Sequence, residues 1–337
     1  MATYTATADA NGDFTVPFSA NYTNGQKVTV TAAKDGATKS IELYAPSEPT
    51  GGGVIKFSGT YTNFPQNIGV VTLTSQISGI IQANAMRSGG SSADNIFYCA
   101  TGLIIEGAVT EIKDYGFDGW YKAYQLTLPS GLTKIGQYGF QNFGKAATVD
   151  FGITLPDTVT TLSNYSFYYA NMKTFDIGSG ISTIPQNCFA YTAKLETFNY
   201  RNVTTIADNA FSSTNLKYNL IPNTVTLLQS GCFQFAKSIE VSVGSGITTI
   251  PTFAFYQNTS CLKFTIGVNV SSIGANGMSY MTACNELICL PAVPPTITST
   301  SLTSLKATCV IKVPVGSLSA YQTATNWSAF ASQMVGV

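Results

Sequence analysis

The stretch Leu128-Pro129-Ser130-Gly131-Leu132-Thr133-Lys134-Ile135-Gly136-Gln137-Tyr138-Gly139-Phe140 decides the fold. A short apolar strand ends at Leu128 and Pro129 stops it. An aliphatic anchor, Ile135, is followed five residues later by an aromatic one, Phe140. The same pair returns as Ile112 with Phe117, Leu162 with Phe167, Ile184 with Phe189 and Ile206 with Phe211. It continues as Leu228 with Phe233, Ile250 with Phe255 and Ile273 with Met278. The steps between first anchors are 23, 27, 22, 22, 22, 22 and 23 residues. A fixed period of this length marks a stacked repeat, because one unit cannot bury its own anchors and gains a core only from its neighbours.

Short apolar segments precede the anchors: Leu126-Thr127-Leu128, Ile153-Thr154-Leu155, Phe175-Asp176-Ile177, Val241-Ser242-Val243 and Phe264-Thr265-Ile266. Their alternation is the period-2 pattern of a strand with one buried face. The residue before each aromatic anchor is small: Gly116, Gly139, Ser166, Cys188, Ala210, Cys232, Ala254 or Gly277. This is expected where two turns pack closely, and it makes Cys188 and Cys232 apolar fillers. The array predicts a curved solenoid over residues 100–290 with one short parallel strand per repeat.

These units resemble the BspA-type leucine-rich repeat of bacterial surface and phage proteins. The resemblance covers residues 100–337. It extends to a closing strand and helix in Val310-Ile311-Lys312-Val313-Pro314 and the segment through Tyr321 to Asn326-Trp327-Ser328, with Ser317 as the helix N-cap. It implies a mainly β leucine-rich-repeat solenoid with a short C-terminal capping helix. Adhesion, host recognition and scaffolding all occur in the family.

Residues 1–45 read as strands Tyr4–Ala8, Asp13–Phe18, Gln26–Ala33 and Lys39–Tyr44, separated by Asn11-Gly12, Asn24-Gly25 and Asp35-Gly36. They resemble the latter half of a bacterial immunoglobulin-like module. Half a sandwich leaves an unpaired sheet edge, remedied by pairing with another chain or by packing on the adjoining segment. The domain order that follows is an immunoglobulin-like docking segment at 1–45, a Pro/Gly linker at 46–53 and an irregular cap or degenerate repeat at 54–108. Repeats fill 109–290 and a C-terminal cap 291–337.

Composition removes whole classes of function. Charged residues make up 10% of the chain, against roughly 25% in ordinary domains, and 17 basic side chains balance 17 acidic ones. Nucleic-acid binding driven by net charge is thereby excluded. Histidine is absent, which removes the Ser-His-Asp and Cys-His mechanisms and the usual zinc triads. The seven cysteines are irregularly spaced and contain no CxxC. No enzyme, cofactor or metal is expected. The N-terminus lacks the charge and apolar run of a signal peptide, and no segment reaches the length of a membrane span, so neither export by a leader nor membrane insertion is expected.

Two surface features could recognise a ligand. Lys122, Lys145, Lys173, Lys194, Lys217, Lys237 and Lys263 fall once per turn, between one aromatic anchor and the next strand. Stacked, they form either a basic stripe for an acidic polysaccharide or solubilising charge for a charge-poor rod. Aromatics after the anchors form the other. Phe143 and Phe235 read as core, whereas Trp120, Tyr121, Tyr124, Tyr168 and Tyr169 could stack on sugars, contact a protein or pack inside. The ligand-binding candidates are Trp120, Tyr121, Tyr124, Tyr168, Tyr169, Lys145, Lys173 and Lys194. Two settings fit. One is a non-enzymatic phage virion protein (tail fibre, head fibre or decoration) that joins other virion proteins or an oligomer through residues 1–45 and binds a host glycan or protein. The alternative is a bacterial cell-surface adhesin.

Overall fold

A β-branched or leucine anchor, in most turns with a threonine or serine before it, makes a two-residue strand, and stacking places each such strand beside its equivalent in the next turn. The computed structural model describes residues 14–17, 27–34, 37–44, 54–57, 68–88 and 96–337. The chain divides into two units, Met1–Ile181 and Ser182–Val337.

In the first unit Gly79–Ile81, Val109–Ile112, Lys134–Ile135 and Thr161–Leu162 pair in parallel, so that Ile81, Ile112, Ile135 and Leu162 form one buried column. A second parallel ladder joins Val70–Leu73, Gly102–Ile105 and Gln125–Thr127, and Gly152–Thr154 pairs with Thr174–Asp176. Each turn thus carries two short parallel strands where the sequence pointed to one. The two-residue strand is too short to display a period. Phe117, Phe140 and Phe167 stack inside at centroid distances of 5.4 Å for both steps.

Three of the four expected N-terminal strands are present, one joined to this sheet and two paired with each other. Phe14–Pro17 pairs antiparallel with Val54–Phe57, which pairs in turn with Val70–Leu73, the first strand of the solenoid ladder. Lys27–Lys34 pairs antiparallel with Ala37–Tyr44. Tyr4–Ala8 and the rest of the expected immunoglobulin-like segment lie outside the described residues.

The second unit repeats the pattern. Thr183–Ile184, Thr205–Ile206 and Leu227–Leu228 form one parallel ladder, and Thr249–Ile250, Ser272–Ile273 and Thr296–Ile297 another. Phe189, Phe211, Phe233 and Phe255 stack at 5.4, 5.2 and 5.3 Å. The anchor spacing continues past residue 290 as Ile297 with Leu302, both buried. Counted from Ile81 to Ile297, ten anchored turns lie among the described residues.

The stack is closed by Val310–Val313, the helix Leu318–Thr323 and the strand Met334–Gly336, which pairs in parallel with Val310–Val313. Trp327 donates its indole N–H to the Pro295 carbonyl at 2.7 Å, and the Tyr321 hydroxyl donates to Pro291 at 2.9 Å. Ser317 stands at the N-cap position, but its hydroxyl makes no capping bond. It donates to the carbonyl of Ala292 at 2.6 Å instead.

The small residue before each aromatic anchor has a different cause from the one expected. A Cβ on Gly116, Gly139 or Gly277 would stand 2.8, 2.9 or 2.9 Å from Cγ2 of Ile112, Ile135 or Ile273, the anchor of the same turn. The restriction lies within the turn. The scarcity of charge is met by hydroxyls whose hydrogen bonds reach the preceding turn: Thr133 donates to the Thr110 carbonyl at 2.9 Å, Thr204 to Ser182 at 3.2 Å and Ser271 to Thr248 at 3.1 Å. All seven cysteines are buried free thiols.

Candidate binding face

The segment after each first anchor makes a ladder of its own. In the first unit the N–H groups of Tyr115, Phe117 and Gly119 donate to the carbonyls of Gln137, Gly139 and Gln141 in the next turn. In the second unit Asn187, Phe189 and Tyr191 donate likewise to Asp208, Ala210 and Ser212. To keep alternate N–H groups aimed at the neighbouring turn, the residues three and seven after the anchor take positive φ in every turn anchored from Ile112 to Ile273. Asn84, Asn187, Asn209, Asn276 and Gly231 occupy the first of these positions, as left-handed backbone prefers.

Phe253 breaks that preference singly in the second unit, and three consecutive turns of the first unit break it together. Tyr115, Tyr138 and Tyr165 hold φ values of 58, 56 and 63°. For a residue with a Cβ that conformation costs roughly 1–2 kcal/mol. Strain of this kind persists where something else requires the side chain. The three rings stack at 4.8 Å for both steps and are half-buried. Arg87 lies 4.5 Å over Tyr115 at one end of the row. At the other, Tyr168 meets Tyr138 and Tyr165 edge-on at 6.4 and 5.3 Å and Tyr169 at 4.6 Å. Lys145 places its ammonium 4.2 Å above Tyr169 and 5.9 Å from Tyr121, which itself packs 5.0 Å from Tyr98. Burial, then the neighbours Tyr165 and Tyr115, raise the Tyr138 phenol pKa, so it stays protonated. Burial and the nearby Asp118 do the same for Tyr121. Asp118 is itself raised by burial, opposed by its 2.9 Å bond from Arg87.

Of the residues singled out from the sequence, Tyr121, Tyr168, Tyr169 and Lys145 come together on this face. Trp120 does not: it is fully buried, stacked on Phe97 at 5.1 Å. Its position, eight residues after the anchor, points inward in turn after turn, as Phe143, Ala170 and Met281 show. Tyr124 is 42% exposed but stands apart from the ring contacts. Lys173 is bound to Asp150 at 2.7 Å. Lys194 is half-exposed in the second unit. The basic stripe is partly neutralised, because Lys217 and Lys263 also pair with carboxylates of the preceding turn, Glu196 at 2.8 Å and Glu240 at 2.9 Å.

Tyr115, Tyr138 and Tyr165 were missed. The signal was available: tyrosine recurs in three successive turns at a position where most other turns hold asparagine or glycine. Phe235, expected in the core, is 40% exposed at the second left-handed position. With Phe253 and Tyr280 it packs around Tyr256 at 5.6, 5.2 and 5.4 Å, a second aromatic cluster within the second unit. Among the described residues no group of side chains could hold a metal ion, and no helix is long and apolar enough to cross a membrane.

Three solved structures similar to this chain come from bacteria. A leucine-rich cell surface protein from Faecalibacterium prausnitzii A2-165 is 15% identical, with all of both chains covered and a TM-score of 0.46. A leucine-rich repeat protein from Eubacterium ventriosum ATCC 27560 is 19% identical over 86% of this chain and 78% of that one, at 0.44. One from Bacteroides ovatus ATCC 8483 is 16% identical over 100% and 99%, at 0.43. No curated protein matches. The family model for the BspA type leucine-rich repeat region matches six copies over residues 93–217 and 201–298, more than half of the sequence. With the anchor columns and turn ladders described above, the chain belongs to the BspA-type leucine-rich repeat family.

Proposed function

We propose that this is a non-enzymatic bacterial cell-surface adhesin that binds through the tyrosine face of its first unit. The observation that carries the reading is the row Tyr115, Tyr138 and Tyr165, held in a backbone conformation that asparagine or glycine would adopt at lower cost. Tyrosine supplies large, rigid contact area with a polar tip at small entropic cost, which suits recognition. Family membership favours the cell surface among the two settings expected from the sequence; nothing in the fold or the family match points to a virion.

The test replaces all three tyrosines by asparagine, which fits the left-handed backbone and so preserves the turns. Binding of the full chain to cultured epithelial cells and to a glycan array is compared with that of the wild type. Loss of binding with an unchanged circular dichroism spectrum is expected. Undiminished binding by the variant, or no binding by the wild type, refutes the reading.

A further inference from the structure

The lysines of the first unit and of the second fall into two chemical kinds. Those on a strand or immediately before one are neutralised: Lys134 by Glu111 at 3.0 Å, Lys173 by Asp150 at 2.7 Å and Lys217 by Glu196 at 2.8 Å. Those beside the tyrosine face are held differently. Lys145 rests 4.2 Å above Tyr169 and 3.4 Å from the Asn142 side-chain oxygen, and Lys122 rests 5.7 Å from the Tyr98 ring. Among the described residues neither ammonium has a carboxylate partner. A ring face attracts a cation through its quadrupole without cancelling its charge. It therefore fixes the lysine in place and leaves the positive charge for something else. The ordering entropy of a long side chain is then already spent before a ligand arrives.

Next to these cations stands a row of unused hydroxyls. The faces of Tyr115, Tyr138 and Tyr165 cover one another, so the row offers ring edges and phenol groups rather than flat rings. Among the described residues none of the three hydroxyls has a hydrogen-bond partner. The acidic groups close by are committed: Asp118 is buried against Arg87 at 2.9 Å, and Asp114 accepts the Gln137 N–H at 2.7 Å. An acidic peptide would use the cations alone, whereas a polyhydroxylated chain finds hydroxyl partners all along the row as well.

We infer that this face takes an anionic glycan, with its carboxylate or sulfate groups on Lys145 and Lys122 and its hydroxyls along Tyr115, Tyr138 and Tyr165. The inference rests on the binding-face reading above and adds the chemistry of the ligand.

The experiment measures binding of the full chain to immobilised heparin and hyaluronan, with dextran as a neutral glycan and polyglutamate as an acidic polymer without sugars. The wild type should bind one or both anionic glycans, more weakly as salt rises. The double variant Lys122→Gln/Lys145→Gln should lose about tenfold in affinity, and Lys173→Gln/Lys217→Gln should stay within about twofold of wild type. No binding to either anionic glycan, equal binding to dextran or polyglutamate, or an equal loss in the ion-paired variant overturns the inference. If the tyrosine variant loses cell binding and the Lys122/Lys145 variant keeps it, the anion assignment falls and the binding face stands. If neither variant loses it, both fall.

Discussion

The indole N–H of Trp120 donates to the carbonyl of Met86 at 2.8 Å, across 34 positions of the chain. This buried bond ties the first anchored turn to the second. Trp120→Phe keeps most of the apolar contact but leaves the Met86 carbonyl without its donor. A cost of about 1–3 kcal/mol is expected, the usual penalty for a buried polar group left unsatisfied. Denaturant titration checks it, and glycan binding should be unaltered because the indole is out of reach of a ligand.

Phe211 stands between Phe189 at 5.4 Å and Phe233 at 5.2 Å and is fully buried. Phe211→Ala should cost about 3–5 kcal/mol, through lost transfer energy and a cavity that stacked turns cannot close. Because each turn leans on its neighbours, hydrogen exchange should quicken first in the turns on either side. A uniform increase across the second unit would contradict nearest-neighbour stacking.

Tyr138→Asn should change stability by less than about 1 kcal/mol. It relieves the left-handed strain and forfeits two stacking contacts of about 0.5–1.5 kcal/mol each, effects of similar size and opposite sign. A loss well above that would mean that the ring contacts outweigh the strain and that packing alone accounts for the tyrosine. Thermal melting of the variant decides between the two outcomes.

Alkaline stability reports the buried thiols. Burial, and then the neighbouring Cys284, push the Cys261 thiol from its ordinary value near 9 up to about 12, and burial raises Cys232 and Cys289 as well. Between those values the unfolded chain releases protons that the folded chain keeps. The stabilisation from these groups is therefore whole below about pH 9 and lost as pH rises toward 12. The denaturation midpoint should fall over that window. Native protein at neutral pH should resist iodoacetamide until denaturant is added.

The anchors were legible because their spacing is a property of the chain itself: Ile135 and Phe140 declare a turn without any knowledge of neighbours. The inward position of Trp120 was legible in the same way, had the eighth residue after every anchor been compared. Phe143, Ala170 and Met281 there are apolar, and even the polar ones are buried with their side chains donating to the carbonyl of their own aromatic anchor, as Thr192 does to Phe189 at 2.7 Å and Thr214 to Phe211 at 2.9 Å. The pairing of Lys217 with Glu196 was not legible. It depends on register between turns, which a linear spacing of 21 residues does not reveal. The strain at Tyr115, Tyr138 and Tyr165 belongs to the same class, since the sign of φ becomes visible only once the ladder between turns is known.

The cap over the last turns also bears on how such a molecule answers to pulling. Trp327 and Tyr321 clamp Pro295 and Pro291, so a tug on the C-terminal end must strip the strand Met334–Gly336 from Val310–Val313 and then break these contacts. Beyond them, turns joined only to their neighbours can peel away one at a time. A turn such as that from Ile184 to Ile206 has 22 residues, and drawn out at about 3.3 Å per residue it adds about 70 Å of slack. In the adhesin proposed above, such stepwise lengthening would limit the force on a ligand held at the tyrosine face.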